Sequence, residues 1–556
     1  MTLKNIDGAT LANMILAGAH HLSNNADRID ALNVFPVPDG DTGTNMNLTI
    51  TSGANEVKQS KNSSVELVAN AFAKGLLMGA RGNSGVILSQ IFRGFSKGVE
   101  GKETLTSKEF AQALESGVAT AYKAVMKPVE GTILTVAKDT AKRALEIAEE
   151  TEDLIEFLEK VVEASKVSLK RTPELLPVLK EVGVVDSGGQ GLVVIYEGFL
   201  ANLKGEELPD DFASDTMELD DLVNAEHHKL AQDFMNTDEI EYGYCTEFMV
   251  RFEEDKLKEH PYDEAAFREE LSAHGDSLLV VSDDEIVKVH IHAEYPGDVF
   301  NLGQRFGSFI NLKVENMREQ HSNIVGKPGK EPVAKEKEKL GVVAVAMGEG
   351  LSNIFKSLGA SVVIQGGQTM NPSTQDITEA IKQANAESVI ILPNNKNIIM
   401  AAEQAAELAD ENVAVVPTKT IPQGMSALLQ YNPEALLEDN VEAFQEAANT
   451  VKTGQITYAV RDTQIDGMTI KNGNYMGLSD GKISVTDEDQ LTVIKGLLDD
   501  LINDKEDEIV TIIRGEDSPE ELQDEIISYL EENYEDIEVE VHQGDQPVYS
   551  FIFSVE

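Results

Sequence analysis

Four glycine-rich loops in the first 200 residues hold side chains that could bind a metal and a phosphate. In the first loop, Asn33-Val-Phe-Pro-Val-Pro-Asp-Gly-Asp-Thr-Gly-Thr-Asn45, Asp39 and Asp41 flank a single glycine. A sharp turn at that glycine can direct both carboxylates to one hard cation. The residues Gly43 to Asn45 can present backbone N–H groups and side-chain donors to a phosphate at the start of a helix.

The spacing in the first loop excludes an EF-hand. Counted from Asp39, position 6 is Thr44 where an EF-hand requires glycine, and position 12 is Ile50 where it requires glutamate. An aspartate-rich turn can also be plain turn chemistry. The first loop therefore admits a metal site and a simple turn as interpretations.

Three further loops each precede an apolar helical pattern. They are Gly79-Ala-Arg-Gly-Asn-Ser-Gly85, Gly131-Thr-Ile-Leu-Thr135 and Gly183-Val-Val-Asp-Ser-Gly-Gly-Gln-Gly191, which contains Asp186. Because the first N–H groups of a helix are unpaired, such loops can hold an anion, although each alone can equally connect two helices. A Walker phosphate loop is excluded, since no Gly-Lys pair is followed by Ser or Thr. Four such loops in one segment favour a binding site.

A second group of candidate ligands lies farther along the chain. His290 and His292 are two residues apart in a strand pattern, so both imidazoles lie on one face of that strand. With Cys245, the only cysteine, they would form a set of two nitrogens and one sulfur suited to zinc. His321 is a candidate fourth ligand. The alternative is a pair of surface histidines without a metal.

Amphipathic helices surround the four loops. Apolar residues recur at helical spacing in six segments, Leu11–Leu22, Val65–Leu77, Thr106–Val125, Thr135–Ala148, Leu154–Leu169 and Gly191–Leu203. Thr106 and Glu109 are spaced as a capping box at the start of the third segment. These patterns predict an all-α first domain.

The rest of the chain divides by composition and period. Eight acids and no base between residues 206 and 221 indicate an exposed linker, short strand patterns follow from about residue 240, and residues 326–339 have the low complexity of a flexible linker. Alternating strands and helices after residue 340 indicate a parallel α/β sheet. The predicted segments are 1–204 (helical domain), 205–239 (acidic linker and connecting helix), 240–325 (α+β middle domain), 326–339 (flexible linker) and 340–556 (α/β domain).

The net charge of the chain is −51, from 97 acidic and 46 basic residues, and it is unevenly distributed. Residues 1–200 hold 20 basic and 25 acidic residues, a net charge of −5, which leaves 26 and 72, or −46, for the remainder. Such a balance disfavours nucleic acid and anionic membranes as partners. A nearly neutral first domain can hold an anionic ligand, whereas the acidic remainder favours a basic protein partner, unless the charge serves only solubility.

The sequence predicts a cytoplasmic protein without stable membrane insertion. A single cysteine excludes an intrachain disulfide and is typical of a reducing compartment. The N-terminal residues lack the basic and apolar regions of a signal peptide. No apolar stretch approaches the roughly 18 residues of a membrane-spanning helix.

The loop motifs resemble a known family. Pro38-Asp-Gly-Asp-Thr-Gly-Thr-Asn-Met46, Gly79–Gly85 and Asp186-Ser-Gly-Gly-Gln-Gly191 are similar to the nucleotide-binding domain of dihydroxyacetone kinases. With Asn33-Val-Phe-Pro-Val-Pro ahead of it, the first motif more closely resembles the catalytic subunit of bacterial fatty acid kinase. The resemblance implies a multidomain fold, with an all-α DhaL-like helical barrel, then an α+β middle domain, then an α/β C-terminal domain.

The resemblance also implies roles for single residues. ATP would be held through two magnesium ions, with Asp39 and Asp41 as ligands and with Asn33 as the nearest counterpart of a third, although Asp30 lies one helical turn earlier. The cofactor-binding residues would be Thr42, Gly43, Thr44, Asn45, Gly82, Asn83, Ser84, Gly85, Thr132 and Asp186. Catalytic importance would extend to Cys245, His290 and His292, either through structural zinc or through a direct part in the transfer.

The function expected from this resemblance is phosphorylation of a fatty acid carboxylate to an acyl phosphate for phospholipid synthesis. A carboxylate is already ionised near neutral pH and needs no general base. A separate DegV-like fatty-acid-binding carrier would present the substrate, the C-terminal domain would dock that carrier, and the chain would form a homodimer. The alternatives are a kinase of a small hydroxylated substrate such as dihydroxyacetone and a non-enzymatic nucleotide-sensing scaffold.

Overall fold

A computed structural model describes residues 3–34, 40–60, 64–125, 127–206, 242–282, 286–316, 337–367, 370–459, 462–465, 468–503 and 505–556. The described residues within Met1–Pro209 and Glu336–Glu556 form one compact unit, and those within Asp210–Lys335 form a second. No helix among these described residues has the length and apolar composition needed to cross a bilayer.

The N-terminal domain is built from helices. In chain order they are α1 Gly8–Ser23, α2 Ala26–Asp30, α3 Thr42–Gln59, α4 Val65–Gly79, α5 Gly82–Gly98, α6 Ser107–Ala124, α7 Ile133–Glu150, α8 Leu154–Leu175, α9 Pro177–Val182 and α10 Ser187–Lys204, with a short pair of strands, β1 Ile6–Asp7 and β2 Thr104–Leu105. The predicted capping box of α6 is present, because the side chains of Thr106 and Glu109 each bond the other's backbone N–H.

Aromatic rings fill the centre of the helical domain. The ring of Phe92 packs edge-to-face against the rings of Phe72 and Phe95, with centroid distances of 4.9 and 6.3 Å. Phe110 and Phe157 form a further edge-to-face pair, with a centroid distance of 6.0 Å. Edge-to-face pairs add to the free energy that burial alone supplies. These rings join α4, α5, α6 and α8 in one core.

The middle unit is an antiparallel sheet with helices. Its strands are β3 Tyr244–Phe252, β4 Gly275–Ser282, β5 Ile286–Ala293 and β6 Gly307–Asn316, in the order β4-β5-β3-β6, and its helices are α11 Glu254–Glu259, α12 Glu264–Ser272 and α13 Pro296–Gln304. Phe248, Phe267, Val289 and Val299 lie in its apolar core.

The C-terminal domain contains two larger sheets. A parallel sheet has the order β10-β9-β7-β8, and a mixed sheet has the order β15-β14-β11-β18-β16-β17. The strands are β7 Glu338–Ala346, β8 Val362–Gln365, β9 Ala386–Leu392, β10 Asn412–Val415, β11 Lys452–Tyr458, β12 Thr463–Ile465, β13 Met468–Ile470, β14 Tyr475–Ser479, β15 Lys482–Asp487, β16 Ile509–Arg514, β17 Glu538–Gln543 and β18 Phe551–Val555. The helices are α14 Glu349–Leu358, α15 Thr374–Gln383, α16 Ile399–Leu408, α17 Ile421–Leu429, α18 Leu437–Thr450, α19 Gln490–Leu501 and α20 Glu520–Asn533.

This order of helical, α+β and α/β parts confirms the predicted fold class. One boundary differs from the prediction, because β7 begins at Glu338, inside the linker assigned to residues 326–339. Pairing with Ala386 and the bond from the Glu338 N–H to the Asn385 carbonyl, 3.0 Å long, draw this charged residue into the sheet. Most of the predicted linkers, at 205–239 and 326–339, lies outside the described residues.

Candidate functional site

Four helices of the N-terminal domain begin at one cleft. Helices α3, α5, α7 and α10 start at Thr42, Gly82, Ile133 and Ser187, and residues of each first turn or its cap line a cavity of about 270 Å³. Among the lining residues are eight predicted from the sequence, namely Asn33, Asp41, Thr42, Asn45, Asn83, Ser84, Thr132 and Asp186. Helix N-termini carry partial positive charge and free N–H groups, so their convergence suits a polyanionic ligand.

The start of α3 is held by Asp30 rather than left open. The Asp30 carboxylate accepts hydrogen bonds from the Gly43 N–H (2.5 Å), the Thr44 N–H (3.2 Å) and the Thr44 hydroxyl (2.7 Å). Burial raises the pKa of Asp30, the three bonds oppose that rise, and the nearby charge of Asp41 adds to it. In this structure Asp30 accepts the hydrogen bonds of Gly43 and Thr44, whereas Thr42 and Asn45 line the cleft. The binding of a phosphate by Gly43 and Thr44 stays a prediction.

The loop before α5 brings its backbone close to α3. Gly82 has a φ of +58°, which favours glycine, and a Cβ atom there would lie 2.6 Å from the Asn45 amide nitrogen. A Cβ at Gly85 would lie 2.3 Å from the Thr49 hydroxyl. Neither glycine lines the cleft, but both permit the approach that places Asn83 and Ser84 on its wall. The helix cap, Arg81, makes no side-chain bond to the first turn, so that turn can face a ligand.

Asp186 joins two helix starts. Its buried carboxylate accepts a bond from the Gly189 N–H at 2.7 Å and another from the Ile133 N–H, at the first turns of α10 and α7. Burial raises the pKa of Asp186 to about 7, against these bonds, which lower it. Thr132 lies at the same wall, where its hydroxyl donates to the Val129 carbonyl at 2.7 Å.

We expect Asp186→Asn to reduce the dependence of stability on pH. Native Asp186 keeps its proton up to about pH 7, whereas the unfolded chain loses it near the usual value of about 3.9. The native state thus binds the extra proton in this window, and the unfolding free energy falls as pH rises through it. Asparagine caps a helix equally well and does not titrate, so this part of the slope disappears. Urea unfolding of the full chain from pH 5 to pH 8 measures it.

The matched control for this prediction is Asp489→Asn. Asp489 also caps a helix, α19, but it is fully exposed and hydrogen bonds from Thr492 lower its pKa. Both states are ionised there above pH 5, so the control leaves the slope unchanged. Identical slopes for the wild type and Asp186→Asn would contradict the prediction.

Residues of the C-terminal domain also form the cleft. Their contribution was not predicted from the sequence. Asn397 and Met400 line it, and the Asn371 amide nitrogen donates to the Asp41 carboxylate at 2.7 Å. The available signal was the polar run Pro393-Asn-Asn-Lys-Asn397 directly after β9, since ligands of parallel sheets bind at the carboxyl ends of the strands. Nothing in the local pattern around Asn371 pointed to Asp41, which is 330 positions away.

The chemistry of the cleft fits a magnesium–nucleotide complex. Its polar wall is made of carboxylate, hydroxyl and amide oxygens at Asp41, Thr42, Asn45 and Ser84, the ligands that hard cations prefer. Among the described residues no group of three histidine, cysteine, aspartate or glutamate side chains forms a metal site by itself. Asp39, the partner of Asp41 in the predicted ligand pair, lies outside the described residues.

In the middle unit, the strand register brings the predicted zinc positions together. Across the β3–β5 ladder, Cys245 pairs with His292 and Glu247 pairs with His290. Positions opposite each other in an antiparallel pair share a face, so Cys245, His290 and His292 lie on the same face of the sheet. His292 is buried. The side chains of Cys245 and His290, and all of His321, lie outside the described residues, so zinc binding stays a prediction.

Comparison with known proteins extends over the whole chain. The model of the DAK2 domain matches residues 36–201, that of the FakA-like middle domain of fatty acid kinase matches 241–324, and that of the FakA-like C-terminal domain of fatty acid kinase matches 341–556. Protein YloV of Bacillus subtilis (strain 168) is 57% identical over 559 residues, and the match covers 100% of each chain.

Two solved structures are similar to parts of the chain. The dihydroxyacetone kinase from C. freundii, in complex with AMP-PNP and Mg²⁺, has a TM-score of 0.28 and 19% identity, over 34% of this chain and 33% of that chain. A DegV family protein from Corynebacterium glutamicum has a TM-score of 0.31 and 14% identity, over 39% of this chain and 97% of that chain. The three family matches and the full-length relative together confirm the resemblance seen in the loop motifs: this chain belongs to the FakA-like fatty acid kinase family.

Proposed function

We propose that the chain transfers the γ-phosphoryl group of ATP to the carboxylate of a fatty acid, which a separate carrier protein of the DegV type presents. The observation that carries the proposal is the convergence of four helix N-termini and the Asp41 carboxylate on one cleft in a protein of the FakA-like fatty acid kinase family. The product would be an acyl phosphate, available for phospholipid synthesis.

The residues of the cleft have separate tasks in this reaction. Asp41, with Asp39 and Asn33, would hold magnesium, and Thr42 and Asn45 supply further oxygens at the start of α3. When bound, magnesium–ATP supplies the phosphoryl group and the positive charge that offsets the charge on its oxygens.

The remaining walls serve the phosphates and the nucleoside. Asn83 and Ser84, in the first turn of α5, would face the phosphates with N–H groups and side-chain donors. Thr132 and Asp186 lie where the nucleoside would bind. An ionised carboxylate acceptor needs no proton removed, so positioning and electrostatics suffice for catalysis.

The charge of the C-terminal domain supports a separate protein partner. Residues 340–556 contain 39 acidic and 11 basic residues, and this charge favours a basic face on a carrier that docks there.

The decisive experiment measures ATP consumption by the full chain with oleate or palmitate, with and without a fatty-acid-binding protein that co-purifies with it. Hydroxylamine traps an acyl phosphate as a stable hydroxamate. We expect ADP and hydroxamate in equal amounts only when the carrier is present. Phosphorylation of dihydroxyacetone without any acyl phosphate would replace the proposal by a small-substrate kinase, and nucleotide binding without turnover would indicate a sensor.

Cys245→Ser tests the role proposed for the middle unit. If Cys245, His290 and His292 hold structural zinc, the wild type contains one zinc ion per chain, and the variant loses zinc, thermal stability and turnover together. Metal content by mass spectrometry, melting temperature and turnover are measured on one preparation. Loss of turnover with zinc retained would contradict structural zinc and assign these residues a direct part in phosphoryl transfer. The control is Thr246→Ser, a conservative change at the next residue, on the opposite face of β3.

A further inference from the structure

The C-terminal domain rests on the loop before α5, which the proposed function assigns to the phosphates of ATP. The Arg81 guanidinium donates to the Asn371 carbonyl at 2.7 Å, and the Thr374 N–H donates to the Ala80 carbonyl at 3.1 Å. The Asn83 side chain donates to the Asn397 side chain at 3.2 Å. These bonds tie the loop to two separate segments of the C-terminal domain.

The contact continues below the loop as a buried interface. The Gln404 side chain accepts a bond from Gln90 at 2.9 Å and donates to the Leu77 carbonyl at 2.8 Å. Gln404 is 5% exposed and Gln90 is 6% exposed, so water does not compete for these bonds. Ala80 and Val86 belong to an apolar core whose other buried members come from the C-terminal domain. The interface is therefore built like a packed interior.

At the edge of this interface, Asn371 reaches the predicted metal ligand. Its side-chain nitrogen lies 2.7 Å from the Asp41 Oδ2 atom and 3.4 Å from the Asn45 Oδ1 atom. The oxygens of Asp41 and Asn45 set the orientation of the Asn371 amide, because a flipped amide would place its own oxygen against them. Asn371 is 3% exposed, and its own Oδ1 atom is buried without a hydrogen-bond partner among the described residues. The unfavourable burial of that oxygen is tolerated while the amide nitrogen is directed at Asp41.

We propose that the C-terminal domain is a structural part of the nucleotide site and that Asn371 is a positioning residue for Asp41. The inference rests on the proposed function, since it assigns Asp41 to magnesium. A carboxylate that binds a metal through one oxygen keeps a second oxygen for an outer hydrogen bond, and such bonds orient the ligand. Asn371 supplies that bond to Asp41, while Asn397 and Met400 form a wall of the same cleft.

The arrangement links docking of the C-terminal domain to binding of magnesium–nucleotide. If docking holds Asp41 in place for the metal, then by linkage the bound metal strengthens docking by the same factor. The C-terminal domain, where we propose that the carrier docks, would thus sense the nucleotide state of the cleft. The interface segments Leu77–Gln90 and Thr374–Gln383 are expected to lose exchangeable amide hydrogens more slowly when magnesium–nucleotide is bound.

Three variants of the full chain test the proposal with AMP-PNP as the probe. Asn371→Ala removes the bond to Asp41, Gln404→Ala loosens the interface outside the cleft, and Asn472→Ala is an exposed control in the same domain. Calorimetry gives the dissociation constant of AMP-PNP with Mg²⁺ and with EDTA, and hydrogen–deuterium exchange reports docking.

We expect Asn371→Ala to weaken AMP-PNP binding about tenfold in Mg²⁺ and to leave binding in EDTA unchanged, since outer-sphere partners typically contribute a factor of about 10–100 to metal affinity. Gln404→Ala is expected to weaken binding and to speed exchange in Leu77–Gln90. If Asn371→Ala bound AMP-PNP in Mg²⁺ as tightly as the wild type or more tightly, this inference would be overturned and the proposed function would stand. Absence of AMP-PNP binding by the wild type would instead overturn the proposed function and, with it, the inference.

Discussion

Asp41→Asn is expected to lower ATP-dependent phosphoryl transfer by about 1,000-fold in a chain that remains folded. Asp41 and Asp186 are the two carboxylates among the described residues that line the cleft, and Asp186 keeps its proton up to about pH 7. We propose that Asp41, together with Asp39, supplies the negative charge for a metal. Loss of metal assistance removes several kcal/mol of transition-state stabilisation, and each 1.36 kcal/mol changes the rate about tenfold.

The shape of the site survives this substitution. Asparagine is isosteric with aspartate and retains a side-chain oxygen that can accept the bond from Asn371. Turnover is measured with the carrier present, and the melting temperature verifies folding. The control is Asp27→Asn, which removes the same charge from an exposed position on the neighbouring helix α2. A variant that kept more than a tenth of wild-type turnover would contradict the assignment of Asp41 to the metal.

Asp30→Ala is expected to reduce both the stability of the helical domain and its affinity for magnesium–nucleotide. The substitution leaves the N–H groups of Gly43 and Thr44 without their acceptor at the start of α3. A lost cap or an unsatisfied buried donor costs about 1–3 kcal/mol. Asp41 occupies the N-cap position of the same helix without a capping bond from its own side chain, so fraying of the first turn also displaces this proposed metal ligand. Urea unfolding and AMP-PNP calorimetry measure the two effects.

Two further variants serve as controls for the Asp30→Ala prediction. Asp30→Asn keeps one acceptor oxygen and is expected to restore part of the stability and affinity, which a purely electrostatic role of Asp30 would not allow. Asp27→Ala removes an exposed aspartate from the same short helix and is expected to change neither quantity. If Asp30→Ala bound AMP-PNP as tightly as the wild type, Asp30 would cap α3 without positioning Asp41.

Local signals accounted for most helices of the first domain. The capping box at Thr106 and Glu109 and the period of apolar residues through Phe110, Leu114 and Ala121 depend on residues three or four positions apart, and the structure contains the helix they predict. The parallel sheet of the C-terminal domain also followed from alternating strand and helix patterns.

Pairing between distant strands was less accessible. The mixed six-stranded sheet places β18 between β11 and β16, so the end of the chain lies beside a strand about 100 residues earlier. Each of these strands is a short run of residues, and nothing in a short window selects its neighbours. Register and partner depend on which apolar faces can be buried together.

In the cleft, too, local features were predictable from the sequence and contacts between distant residues were not. Each loop with its glycine and polar residues was readable from the sequence, and eight of the predicted residues line one cavity. Which N–H groups stay available was decided by packing, because Asp30 uses those of Gly43 and Thr44. The roles of these residues toward ATP and magnesium stay predictions until the variants are measured.

The sequence by itself determined the family, the order of the three domains, the positions of the glycine-rich loops and the concentration of acid beyond residue 200. Only the tertiary structure decided that these loops open at one cleft, that Asp30 caps α3, and that Asn371 contacts Asp41. The physical reason is the separation along the chain over which each interaction acts. Composition, periodicity and caps act over a few residues, whereas a hydrogen bond between residues 330 positions apart exists only after two domains have buried a common surface.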